Sequence, residues 1–407
     1  MKKVSNALIA ILTVVSFTLL SSCDGLFGGG DAPIVDGILV DADISENTTW
    51  ETGEVYVLGG RIVVLDGVTL TIEPGVIVKG QAGTGANATA LLVARGGKLM
   101  AEGTASDPII FTSLIDEIEP GQVASPNLEP ELNGLWGGVI VLGNAPISAD
   151  AASMQIEGIP ASDQNGLYGG SASDDNSGMI KYVSIRHGGA NIGEGNEING
   201  LTLGGVGSGT VIENVEIVSN QDDGIEWFGG AVSVKNAVVW NTGDDAIDTD
   251  QAWAGTLDNF IIITPGDECF ELDGAEGTAV AAHTITNGTV LATIFDEEGE
   301  VVRGAEGLAD LDNKGDGDPG NSFLNMSNVY FFGLNPGQDF DDNPAELTAS
   351  SLEATLPSDT LSLDEFFKAG TDAFVTSVAE GANTVGADVT KFNGWSWAAV
   401  DGALADF

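Results

Sequence analysis

Acidic side chains recur at a fixed spacing in the middle of this sequence. The pairs Asp222-Asp223, Asp244-Asp245 and Asp267-Glu268 lie 22 and then 23 residues apart. Each pair precedes a short segment of alternating character, which in a β-strand sends successive side chains to opposite faces. The apolar column formed in this way is Ile225, Ile247 and Phe270, and the acidic column is Glu226, Asp248 and Glu271.

Stacked carboxylates are candidate ligands for a hard divalent cation. Neighbouring parallel strands lie about 4.8 Å apart, and like charges at that spacing repel. Ca²⁺, which takes about six to eight oxygen ligands, would relieve the repulsion. Our hypothesis is that Ca²⁺ binds along the column; the alternative is that the acids accept turn hydrogen bonds on an open, solvated face. The candidate metal ligands are Asp222, Asp223, Glu226, Asp244, Asp245, Asp248, Asp267, Glu268 and Glu271, and Asp250 and Asp273 recur at the same place in the repeat.

The same acidic pairs are candidate catalytic groups for glycan cleavage. They are similar to the paired-aspartate motifs of β-helical hydrolases of the polygalacturonase type, and two carboxylates flanking a bond can act as acid and base. However, the expected downstream Arg and Lys motif is missing, and a periodic structural role explains pairs that repeat in every copy. A lyase would need an Arg or Lys base, for which Lys181, Arg186 and Lys235 are the nearby choices. The candidate catalytic residues are Asp222, Asp223, Asp244, Asp245 and His187.

Three further features bear on ligand binding. The segment Asp310–Asp318 superficially resembles an EF-hand loop, but Lys314 takes a ligand position and no Glu falls at the twelfth, so we expect an acidic surface loop. Trp253 lies between two copies of the repeat and is predicted to be exposed as a ligand platform. The Gly-rich segment Gly193–Gly195 is not a phosphate loop, because it lacks the Lys and the following helix, so no nucleotide is expected.

The repeat predicts the architecture that must position these residues. Self-similarity with a period of about 20 to 45 residues, strand-type alternation and no helical period indicate an all-β fold, a β-solenoid. Short β-rich segments separated by turn signals assign residues 37–345 to it. Two loops, 113–133 and 149–178, are predicted to project from the solenoid and to offer surfaces to partners.

The last segment, 346–407, is predicted to be a C-terminal capping region, because a solenoid needs its open ends covered. A capping box that begins at Ser362 predicts a short helix there. The aromatic residues Phe392, Trp395 and Trp397 are predicted to plug the open end.

The first residues predict export and a lipid anchor. Residues 1–22 have the charged start, short apolar stretch and small-residue end of a signal peptide. The ending Leu20–Cys23 resembles a bacterial lipobox, so Cys23 is the expected lipidation site and residues 23–36 a flexible tether. We therefore expect the chain to be attached to the outer membrane, at the cell surface. Cys269 has no partner, so no intrachain disulfide is expected.

Charge restricts the class of ligand. The formal net charge is −48, from 13 Lys and Arg against 61 Asp and Glu. Such a surface repels nucleic acids and polyanionic glycans, and it favours neutral or cationic ligands and divalent ions. Solubility in a salty medium is the other explanation for the excess of acids.

Several passages carry a resemblance to a known family. They are Gly134–Gly138, Ser184–Asn191, Asn199–Gly207, Asp222–Glu226 and the closing Phe392–Trp395. Together they resemble a family of right-handed parallel β-helix surface lipoproteins of Gram-negative bacteria. The resemblance implies a right-handed parallel β-helix and export, and it brings no catalytic residues with it.

Our leading interpretation is a non-catalytic adhesion, glycan-binding or scaffold role, with the membrane reached through the lipid and a glycan or surface protein as partner. The alternative is a carbohydrate-active enzyme, either a polysaccharide lyase or a glycoside hydrolase, of the β-helix type. Fold alone does not choose between the two.

Overall fold

The alternating segments of the sequence form strands that pair in parallel, each with the segment one repeat away. The computed structural model describes residues 37–192, 198–312, 323–340, 347–358, 361–367 and 371–407. The predicted signal peptide, Cys23 and the tether lie outside the described residues, as do Gly193–Gly195 and Lys314. Within the described residues, no helix is long and apolar enough to cross a membrane.

Most strands, numbered in chain order, belong to two sheets. Among the described residues, sheet A has 15 strands: β1 Ile38–Val40, β2 Thr48–Trp50, β3 Val55–Leu58, β5 Thr69–Ile72, β6 Ile77–Gly80, β8 Lys98–Glu102, β9 Ile109–Ser113, β13 Gly178–Arg186, β15 Val211–Val218, β17 Val234–Trp240, β19 Thr256–Ile263, β21 Ala282–Leu291, β25 Phe323–Phe332, β26 Leu347–Ala354 and β27 Val375–Ser377. In the same part of the chain sheet B has 8: β4 Arg61–Val64, β7 Ala90–Val93, β10 Val139–Leu142, β14 Leu201–Gly204, β16 Ile225–Phe228, β18 Ile247–Asp250, β20 Glu271–Asp273 and β24 Asp310–Asp312.

The remaining elements are short. Two antiparallel pairs stand apart from the sheets, β11 Met154–Gln155 with β12 Leu167–Tyr168, and β22 Thr293–Phe295 with β23 Val301–Gly304. The α-helices that the structure describes are α1 Leu363–Phe366 and α2 Trp397–Asp401. Single 3-10 turns cover Gly85–Asn87, Gln164–Gly166, Thr371–Ala373 and Val389–Phe392.

The chain alternates between the sheets, and each rung pairs in parallel with the next. This confirms the predicted all-β, right-handed parallel β-helix. The predicted columns are also confirmed, because Ile225 pairs with Ile247, and Glu226 pairs with Asp248. Ile225, Ile247 and Phe270 are fully buried in the core between the sheets, so the acidic column faces outward from sheet B.

Strands β15, β17 and β19 of sheet A bend at asparagines in the left-handed region. Asn214, Asn236 and Asn259 have φ of 58°, 57° and 61°. The amide of Asn236 donates to Asn214 Oδ1 (3.0 Å), and that of Asn259 donates to Asn236 Oδ1 (2.8 Å). Asparagine suits this position because it tolerates positive φ and its side chain bonds to the next rung.

The two long loops lie against the solenoid instead of projecting from it, which corrects the prediction. The 149–178 insertion buries Ile156, Ile159 and Tyr168 against the outer face of sheet B. In the 113–133 loop, the Pro130 carbonyl accepts a hydrogen bond from Asn241 Nδ2 (2.8 Å). The buried apolar side chains and backbone groups of the two loops offset the conformational entropy that is lost when the loops become ordered.

A cap with a short helix follows the last rungs, as predicted. Helix α1 starts with the capping box of Ser362 and Glu365. Phe374 packs on Phe340 at the end of the core, with ring centroids 5.4 Å apart. Sheet A continues into the segment assigned to the cap, because β26 pairs with β25 and β27 pairs with β26.

The predicted aromatic plug is wrong. We call residues 378–407 the strap, because they run back over the outer face of sheet A. Phe392, Trp395 and Trp397 pack there. The physical reason is that this outer face is itself apolar and needs cover. The residues covered include Val218, Val238, Trp240, Ile261 and Ile263.

Candidate functional site

The outer face of sheet B changes character along the solenoid. Its side chains run from apolar residues, packed under the 149–178 insertion, through Thr202 to a row of acids. The column in register is Leu92, Ile140, Thr202, Glu226, Asp248, Glu271 and Asp310. The acidic half of this face is therefore fixed by strand pairing, not by loop position.

A second acidic column lies in the turn that leads into sheet B. Asp223 Oδ1 accepts the backbone N–H of Asp245 (3.0 Å), and Asp245 Oδ1 accepts that of Glu268 (2.6 Å). Turn hydrogen bonding, which was the alternative to metal binding, therefore accounts for one oxygen of each of these two aspartates. The first members of the pairs, Asp222, Asp244 and Asp267, are more exposed.

The two columns meet in two carboxylate clusters. Asp222, Asp223 and Asp244 each offer an oxygen within 4.8 Å of the others, and so do Asp223, Glu226 and Asp248. Asp223 belongs to both clusters. Asp223, Glu226 and Asp248 are 7%, 5% and 7% exposed, so the second cluster is buried.

Burial places these acids in an unfavourable environment for negative charge. It raises the pKa of Asp223, Glu226 and Asp248 well above the ordinary range, and neighbouring carboxylates raise each pKa further. Burial likewise raises the pKa of Asp245 to about 11 and that of Asp250 to about 7. Without a cation, part of this face therefore holds protons at neutral pH.

Two acids from outside the repeat add to the site. Glu157 of the 149–178 insertion raises the pKa of Glu226, and Glu276, beyond β20, raises that of Asp250. The repeat pattern predicts neither of them, because their positions depend on how the insertion and the turn fold. The amide of Asn199 donates to Glu226 Oε2 and fixes that side chain.

The acidic column extends one rung further than predicted. Asp310 pairs with Glu271 in strand β24, so the expectation of a surface loop starting at Asp310 is wrong. The alternation Asp310-Leu311-Asp312 repeats that of Glu271-Leu272-Asp273 and could have been recognised. Strand pairing and the burial of Leu311 in the core favour the strand.

His187 is not part of either carboxylate cluster. It is buried in the turn after β13, where Nδ1 donates to the Leu132 carbonyl. Its ring centroid lies 5.6 Å from that of Trp397 in the strap. Burial lowers its pKa to about 4, so the ring is neutral and serves the packing of the 113–133 loop and the strap.

Trp253 is buried, and the prediction that it is exposed is wrong. Its side chain is 1% exposed and stacks on Trp227, with centroids 4.5 Å apart. Its Nε1 donates to the Val232 carbonyl (2.9 Å). The turn after β18 directs this ring inward, where burial of a large aromatic surface is favourable.

The three basic residues considered for a lyase belong to sheet A. Lys181 pairs with Glu213 and Lys235 with Asp258, each at 3.2 Å. Arg186 is fully buried beside Glu216. None of the three lies on the strands that carry the carboxylate clusters.

A parallel β-helix with a carboxylate-lined outer sheet is the class of protein that this fold and site define. The family model described as a pectate-lyase like beta helix domain matches residues 42–310. That match covers well over half of the chain and both carboxylate clusters, so the chain belongs to this family. Comparison with curated proteins and with solved structures gives no match.

Proposed function

We propose that the outer face of sheet B binds divalent cations, with Ca²⁺ as the best fit. The observation that carries the proposal is the pair of three-carboxylate clusters that share Asp223. All of their ligand atoms are oxygens, which suit Ca²⁺, whereas zinc sites usually include nitrogen or sulfur. The ligands would come from Asp222, Asp223, Glu226, Asp244 and Asp248.

The electrostatics of the face support this proposal. Ten interacting carboxylates lie in and around the two clusters, and those that burial affects most have raised pKa values. A divalent ion would replace bound protons and neutralise charges that otherwise repel. Cation binding would therefore stabilise the central rungs. The ten are Glu157, Asp222, Asp223, Glu226, Asp244, Asp245, Asp248, Asp250, Glu271 and Glu276.

We further propose that the calcium-stabilised β-helix has a non-catalytic adhesion, glycan-binding or scaffold role. A solenoid held by two continuous sheets presents a rigid, extended surface. Its attachment through a lipid at Cys23 to the outer membrane, at the cell surface, completes this proposal.

Calcium titration of the full chain tests cation binding. We expect saturable heat in calorimetry, and a rise in melting temperature that chelator reverses. One ion at about 100 times its Kd would contribute about 2.7 kcal/mol to the free energy of unfolding. The double variant Asp244→Asn, Asp245→Asn should lose the calcium-dependent rise. No shift at millimolar Ca²⁺ would sink the proposal.

A matched control is available on the β22–β23 hairpin. Glu297 and Glu298 are adjacent, exposed acids outside sheet B. The variant Glu297→Gln, Glu298→Gln replaces the same number of carboxyl groups by amides as the test variant and should bind Ca²⁺ like the native chain. Equal losses in both variants would mean that net charge, not the clusters, causes the effect.

A carbohydrate-active enzyme is the second candidate. It is favoured by the match to the pectate-lyase-like family and by the position of the clusters, which fall inside the matched residues. Polysaccharide lyase and glycoside hydrolase activities are tested with uronate polymers and neutral polysaccharides, with and without Ca²⁺. Unsaturated uronides would indicate a lyase, and new reducing ends alone a hydrolase. No product from any polymer would exclude the enzyme for that panel.

A further inference from the structure

A groove separates the strap from the outer face of sheet A. The strap is joined to the sheet by polar contacts here: Thr384 donates to Glu353, and the N–H of Ala387 donates to Thr289 Oγ1 (2.8 Å). Between these contacts and strands β21 and β25 lies a cavity of about 760 Å³. Further along, the strap instead fills the surface with Phe392 and the two Trp residues. The groove is thus a local opening in an otherwise close contact.

Aromatic rings line the groove. Tyr330 and Phe332 are parallel, at 4° and with centroids 5.5 Å apart. Phe407 stands at 80° to Phe332, with centroids 5.1 Å apart. Tyr330 is 5% exposed, so the accessible aromatic surface of the groove belongs to the half-buried Phe332 and Phe407. Apolar surface of this kind packs against the C–H face of a pyranose ring, and a cavity of this size is typical of small-molecule sites.

The rim of the groove is polar and acidic. Glu380, Asn383 and Asp406 line it and are exposed. Carboxylates and amides accept and donate hydrogen bonds to hydroxyl groups, and carboxylates also pair with amino groups. The described residues that line the groove include no Lys or Arg. The rim carboxylates would therefore repel an anionic sugar.

We propose that this groove binds a neutral or amino-bearing oligosaccharide. Phe332 and Phe407 would pack against the sugar rings, and the polar rim would bind their hydroxyl or amino groups. The groove is built from strands of sheet A and the strap, and it shares no residue with the carboxylate clusters of sheet B. The inference rests on the glycan-binding role proposed above and gives that role a site.

Titration of the full chain with defined hexasaccharides tests the inference. The probes are hexamers of glucose, xylose, mannose and glucosamine, with a galacturonate hexamer as the anionic comparison. We expect at least one neutral or amino hexamer to bind and the galacturonate hexamer not to bind. Phe407→Ala should weaken that binding by about tenfold, because the ring edge is lost. Phe295→Ala, which removes a partly exposed ring on the β22–β23 hairpin, should leave it unchanged.

Calcium titration of the same variants separates this inference from the cation proposal. Phe407→Ala should bind Ca²⁺ like the native chain, and the variant Asp244→Asn, Asp245→Asn should bind the hexamer like the native chain. The inference is overturned if no neutral or amino hexamer binds, if galacturonate binds equally well, or if Phe407→Ala and Phe295→Ala behave alike. None of these results depends on whether calcium binds.

Discussion

At the scale of single residues, the buried pair of Arg186 and Glu216 shows how a charge is held inside this solenoid. Both side chains are fully buried. Ser184 Oγ donates to Glu216 Oε2 (2.6 Å), and Glu216 accepts the backbone N–H groups of Trp397 (3.0 Å) and Ala398 (2.9 Å). The Arg186 guanidinium lies 4.9 Å from the centroid of the Trp397 ring. The strap thus supplies partners for a charge pair on the outer face of sheet A.

Glu216→Ala should destabilise the protein by roughly 3 to 5 kcal/mol, because it leaves the Arg186 charge buried and unpaired. The control is Glu213→Ala on the same strand, where the partly exposed pair with Lys181 should contribute less than about 1 kcal/mol. Urea unfolding of the two variants measures the difference. Similar small losses in both would contradict the cost of leaving the Arg186 charge buried and unpaired.

At the scale of elements, the asparagine ladder sets the bend between the two halves of strands β15, β17 and β19 in sheet A. The repeated Asn214, Asn236 and Asn259 are visible in the sequence, but their role is not. The spacing of the repeat predicts which residues share a column. It does not predict the left-handed conformation that turns the column into a ladder of hydrogen bonds.

Asn236→Ala should cost roughly 2 to 4 kcal/mol, because alanine is strained at φ of 57° and both ladder hydrogen bonds are lost. Asn236→Gly loses the same hydrogen bonds without that strain, so it should cost about half as much. Denaturant unfolding of both variants checks this order. A glycine variant no more stable than the alanine variant would contradict the backbone strain expected of alanine at this position.

At the scale of the whole molecule, the sequence predicts which side chains strand pairing places in one column. It does not predict the contacts made by segments far apart in the chain. The repeat assigns Glu226 and Asp248 to one outward column, as the structure has them. It gives no sign that Glu157 joins them or that the strap crosses sheet A, because these contacts join segments far apart in the chain. The burial of Trp253 is not predicted either, since alternation does not fix the direction of a turn residue.

The acids and histidines together set how the stability of the whole chain depends on pH. Burial raises the pKa of Asp250 to about 7, of Glu268 to about 8 and of Asp245 to about 11. The folded state then holds protons that the unfolded state has released, so stability falls as pH rises toward these values. Burial lowers the pKa of His187 and His283 to about 4. The contribution of these neutral rings to stability therefore rises between about pH 4 and pH 6.5 and is complete above that.

Between pH 6.5 and pH 8, therefore, the acids and not the histidines change the free energy of unfolding. The melting temperature in chelator should fall as pH rises. In saturating Ca²⁺ the fall should be smaller, because cation binding favours the ionised carboxylates that high pH also favours. The measurement is a series of melting curves across this interval in chelator and in Ca²⁺. A melting temperature in chelator that rises with pH would contradict the raised pKa values. Parallel curves in the two buffers would contradict cation binding at the carboxylate clusters.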